Sequence, residues 1–324
     1  MTARLHIANH LDGEYFDRSL RSDVRGGLTR SPKCLPPKWF YDDRGSDLFE
    51  QITKLEEYYP TEAERSILAA HVDDIARTAG ADTLVELGSG AADKTRVLLD
   101  GMSRTGNLAR FVPFDVSEGI LRSSSLDLLE DYPGLEISGV VGDFEQHLRD
   151  IPTAGVRLTA LLGGTVGNFA PTFRKAFLED IVSTMSPGDT FLLGTDLVKD
   201  IDRLELAYND PAGITAEFNK NVLHVLNGQL GANFDLDNYE HVARFDTENE
   251  WIDIGLRALS AQDVHVTELD LDVSFEAGEI MQTEISAKFR KEGVRAELAA
   301  VGLELREWWT DERGDYAVSL SALV

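Results

Sequence analysis

The strongest constraint on the fold is a series of short apolar segments, each without polar alternation, that recur between residues 83 and 194. Amphipathic stretches such as Lys94–Met102 and Glu118–Leu129 separate the earlier segments. Strands that are apolar on both faces and alternate with helices are typical of a parallel sheet covered by helices on both sides. The sequence therefore predicts an α/β, Rossmann-like, doubly wound sheet with strands at Thr83–Leu87, Phe111–Val116, Ile137–Val141, Leu158–Leu162 and Thr190–Gly194.

The chain divides into three parts that differ in composition and hydrophobic pattern. Residues 1–60 look irregular, with several prolines and an aromatic cluster, and they predict an N-terminal arm, either packed on the domain or acting as a lid that contributes to a substrate site. Residues 61–199 and 286–324 carry the doubly wound sheet. Residues 200–285 read first as helices and then as strands of period two, which predicts an inserted α+β substrate-binding domain.

Local signals mark the ends of several elements. Thr61 and Glu64 have the spacing of a helix capping box, and Gly80 is a typical helix stop. Asp210-Pro211 should break the helical stretch of the inserted domain. At the end of the chain, alternating runs on either side of Asp311–Gly314 predict that the last strands are antiparallel.

Composition narrows the classes of function. The formal net charge of −26 repels phosphate backbones and anionic membrane surfaces, so we expect neither nucleic acid nor membrane as a partner. The single cysteine, Cys34, allows no intramolecular disulfide and suits a reducing compartment. No histidine pairs with it at a recognisable metal-ligand spacing, so no metal site is predicted. We expect a cytoplasmic monomer that acts on a small molecule.

The segment VELGSGAADK, residues 85–94, follows the first predicted strand and precedes a helix. Gly88 and Gly90 would let the turn pass close to a ligand. The third glycine of a dinucleotide loop is absent, since Ala92 and Asp93 stand there, and an acid is unfavourable beside a pyrophosphate. A nucleoside that bears a cationic sulfonium suits this loop better, which favours S-adenosylmethionine (SAM) over NAD.

Acidic residues follow the next two predicted strands. Asp115 ends the second strand, where a carboxylate can accept ribose hydroxyls. Asp143 and Phe144 end the third, where an acid can accept an adenine amino hydrogen and a ring can stack on the base. For each acid alone, a simple strand-end or helix N-cap residue is the better interpretation, but their joint placement at successive strand ends favours a shared ligand.

Several segments together resemble the histidine-specific Nα-methyltransferases of ergothioneine biosynthesis, of actinobacterial type. They are LPPKWFYDDRGSDLFEQIT, EYYPTEAE, VELGSGAADKT, GGTVGNF, GTDLVKD and TEISAKF. The resemblance covers essentially the whole chain. It implies a class I SAM-dependent methyltransferase fold, and the transfer of methyl groups from SAM to the α-amine of L-histidine to give hercynine, the trimethylated betaine.

The resemblance also implies roles for individual residues. The predicted cofactor contacts are Gly88, Lys94, Asp115, Asp143 and Phe144. Residues expected to hold the substrate carboxylate are Tyr58, Asn168 and Tyr208, while Tyr41 is expected near the amine. The imidazole-recognising pair is Glu284 and Ser286, and other pocket residues are Phe49, Gly163, Thr215 and Ile254.

Physical reasoning supports some of these roles separately. In TEISAKF, Glu284, Ser286 and Lys288 alternate onto one strand face, so a carboxylate and a hydroxyl can bracket a ring, although a solvent-facing polar strand would look the same. Asn168 follows the fourth strand and could equally be a turn residue. Tyr41 is a candidate to relay the proton of the amine, and its ring can attract a quaternary ammonium.

Some positions differ from the family pattern. Ala91 and Ala92 replace hydroxyl residues, Ile254-Gly255 replaces a large pair, and Ile280 replaces an acid. These differences suggest a pocket that is enlarged or altered and that accepts another amino acid or an N-heterocycle. A nicotinamide-dependent oxidoreductase and a non-catalytic cofactor-binding protein remain as alternatives of another class.

Overall fold

The computed structural model describes residues 4–90, 93–144 and 146–324. The chain forms two compact units. Unit 1 contains the residues up to Asp12, Pro60–Val198 and Phe289–Val324, and unit 2 contains Gly13–Tyr59 and Lys199–Lys288. The expected separate arm over residues 1–60 is therefore wrong as a structural part, because its start belongs to unit 1 and the rest to unit 2.

The secondary-structure elements are numbered along the chain. The strands are β1 (Leu5–Asn9), β2 (Thr83–Leu87), β3 (Arg110–Asp115), β4 (Glu136–Val141), β5 (Arg157–Leu161), β6 (Thr190–Asp196), β7 (Tyr239–Asp246), β8 (Trp251–Ala258), β9 (Gln262–Val266), β10 (Leu271–Phe275), β11 (Ile280–Ala287), β12 (Leu303–Thr310) and β13 (Tyr316–Leu323). The α-helices are α1 (Tyr15–Leu28), α2 (Asp43–Ile52), α3 (Pro60–Ala79), α4 (Asp93–Thr105), α5 (Glu118–Asp131), α6 (Pro171–Thr184), α7 (Ile201–Tyr208), α8 (Ile214–Leu230) and α9 (Lys291–Ala300).

Unit 1 is built on an eight-stranded sheet with the order β1-β4-β3-β2-β5-β6-β13-β12. The strands from β1 to β6 pair in parallel, while β13 is antiparallel to both of its neighbours. Every residue of β2, β5 and β6 is buried, as expected for strands covered on both faces. The predicted doubly wound sheet with antiparallel last strands is confirmed. β1, an edge strand beside β4, was not predicted.

Local chemistry explains where the elements of unit 1 end. α3 ends at Ala79, and Gly80 follows with φ of +57°, a conformation that favours glycine. The turn between β12 and β13 is held by Asp311, whose Oδ1 accepts the N–H groups of Asp315 and Tyr316 at 2.8 Å each. Since β2, β3, β4 and β5 are parallel, their carboxyl ends meet at one edge, where open α/β sheets bind ligands.

Unit 2 combines a three-stranded antiparallel sheet, ordered β11-β8-β7, with the β9–β10 hairpin and helices α1, α2, α7 and α8. Apolar residues of α1, α8 and the strands form one buried cluster. The predicted break at Asp210-Pro211 separates α7 from α8. The reading of residues 13–59 as irregular is wrong, because α1 and α2 lie there. The Gly26-Gly27 pair weakens the helical signal of α1, and packing of Leu20, Val24 and Leu28 compensates.

β11 contains a β-bulge at Thr283. Met281 pairs with Leu256 and Glu284 pairs with Ile254, so three steps on β11 oppose two steps on β8. The extra residue shifts the alternation of all later side chains of β11 to the other face of the sheet. Within the described residues, no helix is long and apolar enough to cross a membrane.

Candidate active site

The glycine loop after β2 has the backbone that the sequence predicts. Gly88 and Gly90 have φ of +76° and +49°, in the left-handed region that other residues rarely adopt. The N–H of Gly88 donates to the carbonyl of Phe114 at 2.8 Å, which ties the loop to the end of β3. A Cβ on Gly88 would lie 3.5 Å from the Phe144 ring. Ala91 and Ala92 lie outside the described residues.

Asp115 connects the glycine loop to the start of α5. Its carboxylate accepts the N–H of Gly90 at 3.1 Å and the N–H of Ser117 at 3.0 Å. Burial raises the pKa of Asp115 above its usual value, and these two backbone bonds partly offset the shift. A carboxylate has about four lone-pair sites, so Asp115 can accept ligand hydroxyls as well.

Asp143 and Phe144 directly follow β4, one strand further along the same edge. Asp143 is buried, and its N–H donates to Nδ1 of His147 at 3.1 Å. The Phe144 ring stacks on Phe114 with centroids 5.3 Å apart and planes at 20°. Together with the glycine loop and Asp115, these groups offer acids for ribose and adenine donors and an aromatic face, which fits an adenosine.

Lys94 and Gly163 meet at a buried acid that sequence reasoning missed. Glu64 on α3 accepts the ammonium of Lys94 at 2.6 Å, the N–H of Gly163 at 2.9 Å and the hydroxyl of Tyr316 at 2.9 Å. The predicted capping box is wrong, because α3 begins before Thr61 and Glu64 points into this cluster instead. Gly163 therefore lies beside Lys94, a predicted cofactor residue.

Glu86 is a second buried acid near the glycine loop. It lies on β2, is 3% exposed, and accepts a hydrogen bond from the hydroxyl of Thr95 on α4. Burial raises the pKa of Glu86 to about 7, and the bond from Thr95 lowers it in part.

Asn168, at the end of the short 3-10 helix after β5, is half-buried, and its side-chain amide bonds to none of the described residues.

In unit 2, five aromatic rings form a continuous surface that we call the aromatic wall. Neighbouring ring centroids along the wall lie 5.3–6.3 Å apart, mostly edge to face. Four members were predicted as site residues, and Phe218 on α8 was missed. In order of contact, the wall consists of Phe218, Tyr41, Phe49, Tyr58 and Tyr208.

Tyr41 keeps 48% of its surface exposed although other rings pack on it. Burial raises the pKa of Tyr41 well above 10, and the nearby charge of Glu284 raises it further. Partial exposure and desolvation are compatible, since a side chain in a concave wall is reached by water yet surrounded by protein. The direction of the shift means that the Tyr41 hydroxyl stays protonated at neutral pH.

Glu284 and Ser286 face the same side of the sheet as Ile254 and Ile252, with which they pair. The Glu284 carboxylate makes no hydrogen bond with any residue in the described part of the chain. Burial raises its pKa to about 7, and the positive charge of Lys288 lowers it in part. Ile254 is 3% exposed and packs with Leu204 and Ala207.

Ser286 belongs to a three-residue polar cluster. Its Oγ lies 2.9 Å from the hydroxyl of Tyr208, and the ammonium of Lys288 donates to both oxygens at 2.8 Å. Lys288 is 4% exposed, and its role was not predicted, although its position on the face of Ser286 was. Thr215 is buried at the start of α8, where its N–H donates to Asp210 at 2.8 Å.

The differences at Gly255 and Ile280 do not enlarge this site. Gly255 pairs with Gln282 and Ile280 pairs with Arg257, on the face opposite to Glu284. A Cβ on Gly255 would lie 2.7 Å from Cγ2 of Ile280, so the isoleucine fills the space beside the glycine. The hypothesis of a pocket enlarged at Gly255 and Ile280 is therefore wrong, and Ile254 is the remaining difference beside Glu284.

Comparison with known proteins gives a consistent result. Residues 20–323 match the family described as "Histidine-specific methyltransferase, SAM-dependent". A histidine N-alpha-methyltransferase of Mycolicibacterium smegmatis is 55% identical over 98% of this chain and 99% of its own length. One from Mycobacterium tuberculosis is 53% identical with the same coverage. The ergothioneine biosynthesis protein 1 of Schizosaccharomyces pombe is 33% identical over the matched region. That region covers 66% of this chain and 29% of the yeast protein.

Proposed function

The chain belongs to the histidine-specific, SAM-dependent methyltransferase family, and on that premise we propose that it converts L-histidine to hercynine by three successive methylations of the α-amine. As a SAM-dependent N-methyltransferase it is not the nicotinamide-dependent oxidoreductase kept as an alternative. We further propose that the reaction serves ergothioneine biosynthesis. The name of the fission-yeast relative and the motif resemblance support this step.

SAM binding is assigned to residues of unit 1. Asp115 would accept the ribose hydroxyls, Asp143 the adenine amine, and Phe144 would pack on the base, while Gly88 leaves room for the cofactor. Lys94, held by Glu64, would bind its carboxylate. When bound, SAM supplies a methyl group on a positively charged sulfur. Orientation of the reacting groups can contribute about 7–11 kcal/mol in such reactions.

Substrate recognition is assigned mainly to unit 2. Glu284 carries the proposal. Its desolvated carboxylate makes no hydrogen bond to the described residues, and beside a hydroxyl and an aromatic wall it suits a heteroaromatic N–H. Ser286 would bond the other side of the ring. Tyr58 and Tyr208 would hold the substrate carboxylate by donating without adding charge.

The amine must lose a proton before each transfer. Since the pKa of Tyr41 is raised, its hydroxyl is protonated before the reaction and is not a general base by itself. It can accept the amine proton while it passes its own proton to water. Phe49 and Tyr41 present aromatic surface to the growing positive charge of the methylated amine. Ile254 and the start of α8 at Thr215 would complete the pocket.

Mass spectrometry of products formed from methyl-labelled SAM and a panel of amino acids tests the proposal. We expect trimethylated histidine and little product from tryptophan or free azoles. Faster methylation of another amino acid or an N-heterocycle would instead support a substrate change at Ile254. The single cysteine supports a cytoplasmic setting, and size-exclusion chromatography would test the expected monomer.

A further inference from the structure

Behind Glu284 lies a buried chain of hydrogen bonds, which we call the Asn219 relay, formed by Thr283, Asn219 and His241. The hydroxyl of Thr283 donates to Oδ1 of Asn219 at 2.7 Å. The Asn219 amide donates to the carbonyl of Gly255 at 3.0 Å and contacts Nδ1 of His241 at 2.9 Å. Nε2 of His241 lies 2.8 Å from the carbonyl of Tyr208. Thr283 and Asn219 are 1% and 2% exposed.

Two carbonyls fix the direction of every bond in the relay. The Gly255 carbonyl can only accept, so the NH₂ group of Asn219 must face it and its second N–H must point at His241. Nδ1 of His241 is then an acceptor. The Tyr208 carbonyl can also only accept, so Nε2 of His241 carries the proton. Both ends therefore require the same neutral tautomer of His241.

One end of the relay holds the bulge that selects the face of Glu284. Thr283 is the extra residue of β11, and without it strict alternation would turn Glu284 to the face of Gln282 and Ile280. The Thr283 hydroxyl anchors this bulge to α8 through Asn219. Asparagine is unfavourable inside a helix, so its buried position in α8 is explained by these bonds.

The other end of the relay holds Tyr208. Its carbonyl is the last acceptor of the relay, while its hydroxyl bonds to Ser286 in the predicted substrate site. Charged groups near His241 are Asp210 and Lys220, and burial is the main cause of its lowered pKa. The lowered pKa favours the neutral ring that both ends of the relay require.

We propose that Asn219 is a positioning residue that sets Glu284 and Tyr208 relative to each other, and so fixes the distance between ring recognition and carboxylate recognition. This rests on the proposed function, in which those two residues contact the substrate. The relay itself touches no substrate. Its disruption should therefore weaken binding of histidine and leave binding of the cofactor unchanged.

The test compares Thr283→Val, which keeps the shape but loses the hydroxyl, with Thr283→Ser, which keeps the hydroxyl. We expect Thr283→Val to raise the KM for histidine on the order of tenfold, with a smaller change in kcat, because a buried acceptor loses its donor. The affinity for S-adenosylhomocysteine, measured by calorimetry, should be unchanged, and Thr283→Ser should restore the KM. An unchanged KM in folded Thr283→Val, or an equal loss in Thr283→Ser, would overturn the proposal.

A second measurement applies if Thr283→Val fails to fold. In the wild-type protein, ¹⁵N NMR with His241→Gln for assignment should show His241 as the Nε2–H tautomer, with a pKa below its ordinary value. An Nδ1–H ring, or ordinary titration, would overturn the relay. Failure of the wild-type protein to methylate histidine would overturn the proposed function instead. The tautomer and titration of His241 would then be the remaining test of the relay.

Discussion

At the scale of single residues, Glu284 destabilises the folded protein when it is charged but is suited to binding a ligand. Its carboxylate is desolvated, and its raised pKa shows that the folded protein disfavours the charge. Glu64, another buried acid, accepts hydrogen bonds from Lys94, Gly163 and Tyr316 instead. A carboxylate left without such partners is typical of a site that a ligand completes.

Replacing Glu284 by glutamine should therefore stabilise the protein and impair it. The folded pKa of about 7 lies above the usual 4.5, so the folded state holds the extra proton between these values and loses relative stability as the pH rises through them. Glu284→Gln should gain up to about 3 kcal/mol in free energy of unfolding at pH 8 and nothing below pH 4.5. Denaturant melts at both pH values measure this difference.

The same variant should lose activity, because a neutral amide replaces a charge-assisted acceptor. We expect kcat/KM for histidine to fall on the order of 10- to 100-fold. Equal stability at both pH values, or unchanged histidine kinetics, would contradict the role given to Glu284.

Glu64 and Lys94 allow a separate test in unit 1. Removing Glu64 takes the partner from Lys94, which is 27% exposed, so the cost should be below about 3–5 kcal/mol, the cost for a fully buried ion pair. Glu64→Gln should therefore lower the melting temperature and weaken binding of S-adenosylhomocysteine, while Glu64→Gln with Lys94→Met should recover part of the stability. Additive effects of the two changes on stability would argue against the coupling.

The sequence predicted the site residues that directly follow strands, but not those whose partners are distant in the sequence. Asp115 and Asp143 were recognisable because strand ends of a parallel sheet share an edge. Glu64 was misread because its spacing from Thr61 satisfies a local rule, while its partners are far away in sequence. Lys288 and Phe218 carry no local signal that separates them from ordinary polar and core positions.

At the scale of elements, periodicity predicted the strands but could not predict the register between them. The predicted strand at Thr83–Leu87 matches β2 in both bounds, because the glycine loop begins directly after it. β1 was missed because its five-residue segment, LHIAN, has no clear period of its own and becomes a strand by pairing with β4 at the edge of the sheet. The shared face of Glu284 and Ser286 was predicted, but which way that face points depends on the bulge at Thr283.

Gly255 tests that register. A Cβ there would lie 2.8 Å from the carbonyl oxygen of Met281, so Gly255→Ala should destabilise the protein by about 1–3 kcal/mol. Gly255 faces away from Glu284, but its carbonyl accepts a hydrogen bond from Asn219, so the KM for histidine should rise no more in the folded variant than in Thr283→Val. The control is Gly228→Ala in α8, where nothing lies within 4 Å and the change should stabilise slightly. A rise in histidine KM for Gly255→Ala that clearly exceeds the rise in Thr283→Val would contradict this register and place Gly255 at the pocket.

At the scale of the whole molecule, each of the two compact units is assembled from separate stretches of chain. Cofactor residues lie in unit 1, and most predicted substrate residues lie in unit 2. Hydrogen exchange should reflect this division. S-adenosylhomocysteine should slow exchange around Gly88, Asp115 and Asp143, and added histidine should slow it around Tyr208 and Glu284. If S-adenosylhomocysteine without histidine slowed hydrogen exchange in β11, the assignment of substrate residues to unit 2 would be contradicted.

Calorimetric titration of L-histidine into the protein loaded with S-adenosylhomocysteine tests the central claim most directly. The account predicts saturable heat with histidine, greatly reduced heat in Glu284→Ala, and none with L-tryptophan. Binding of tryptophan without binding of histidine, or histidine binding that is unaffected by Glu284→Ala, would contradict it.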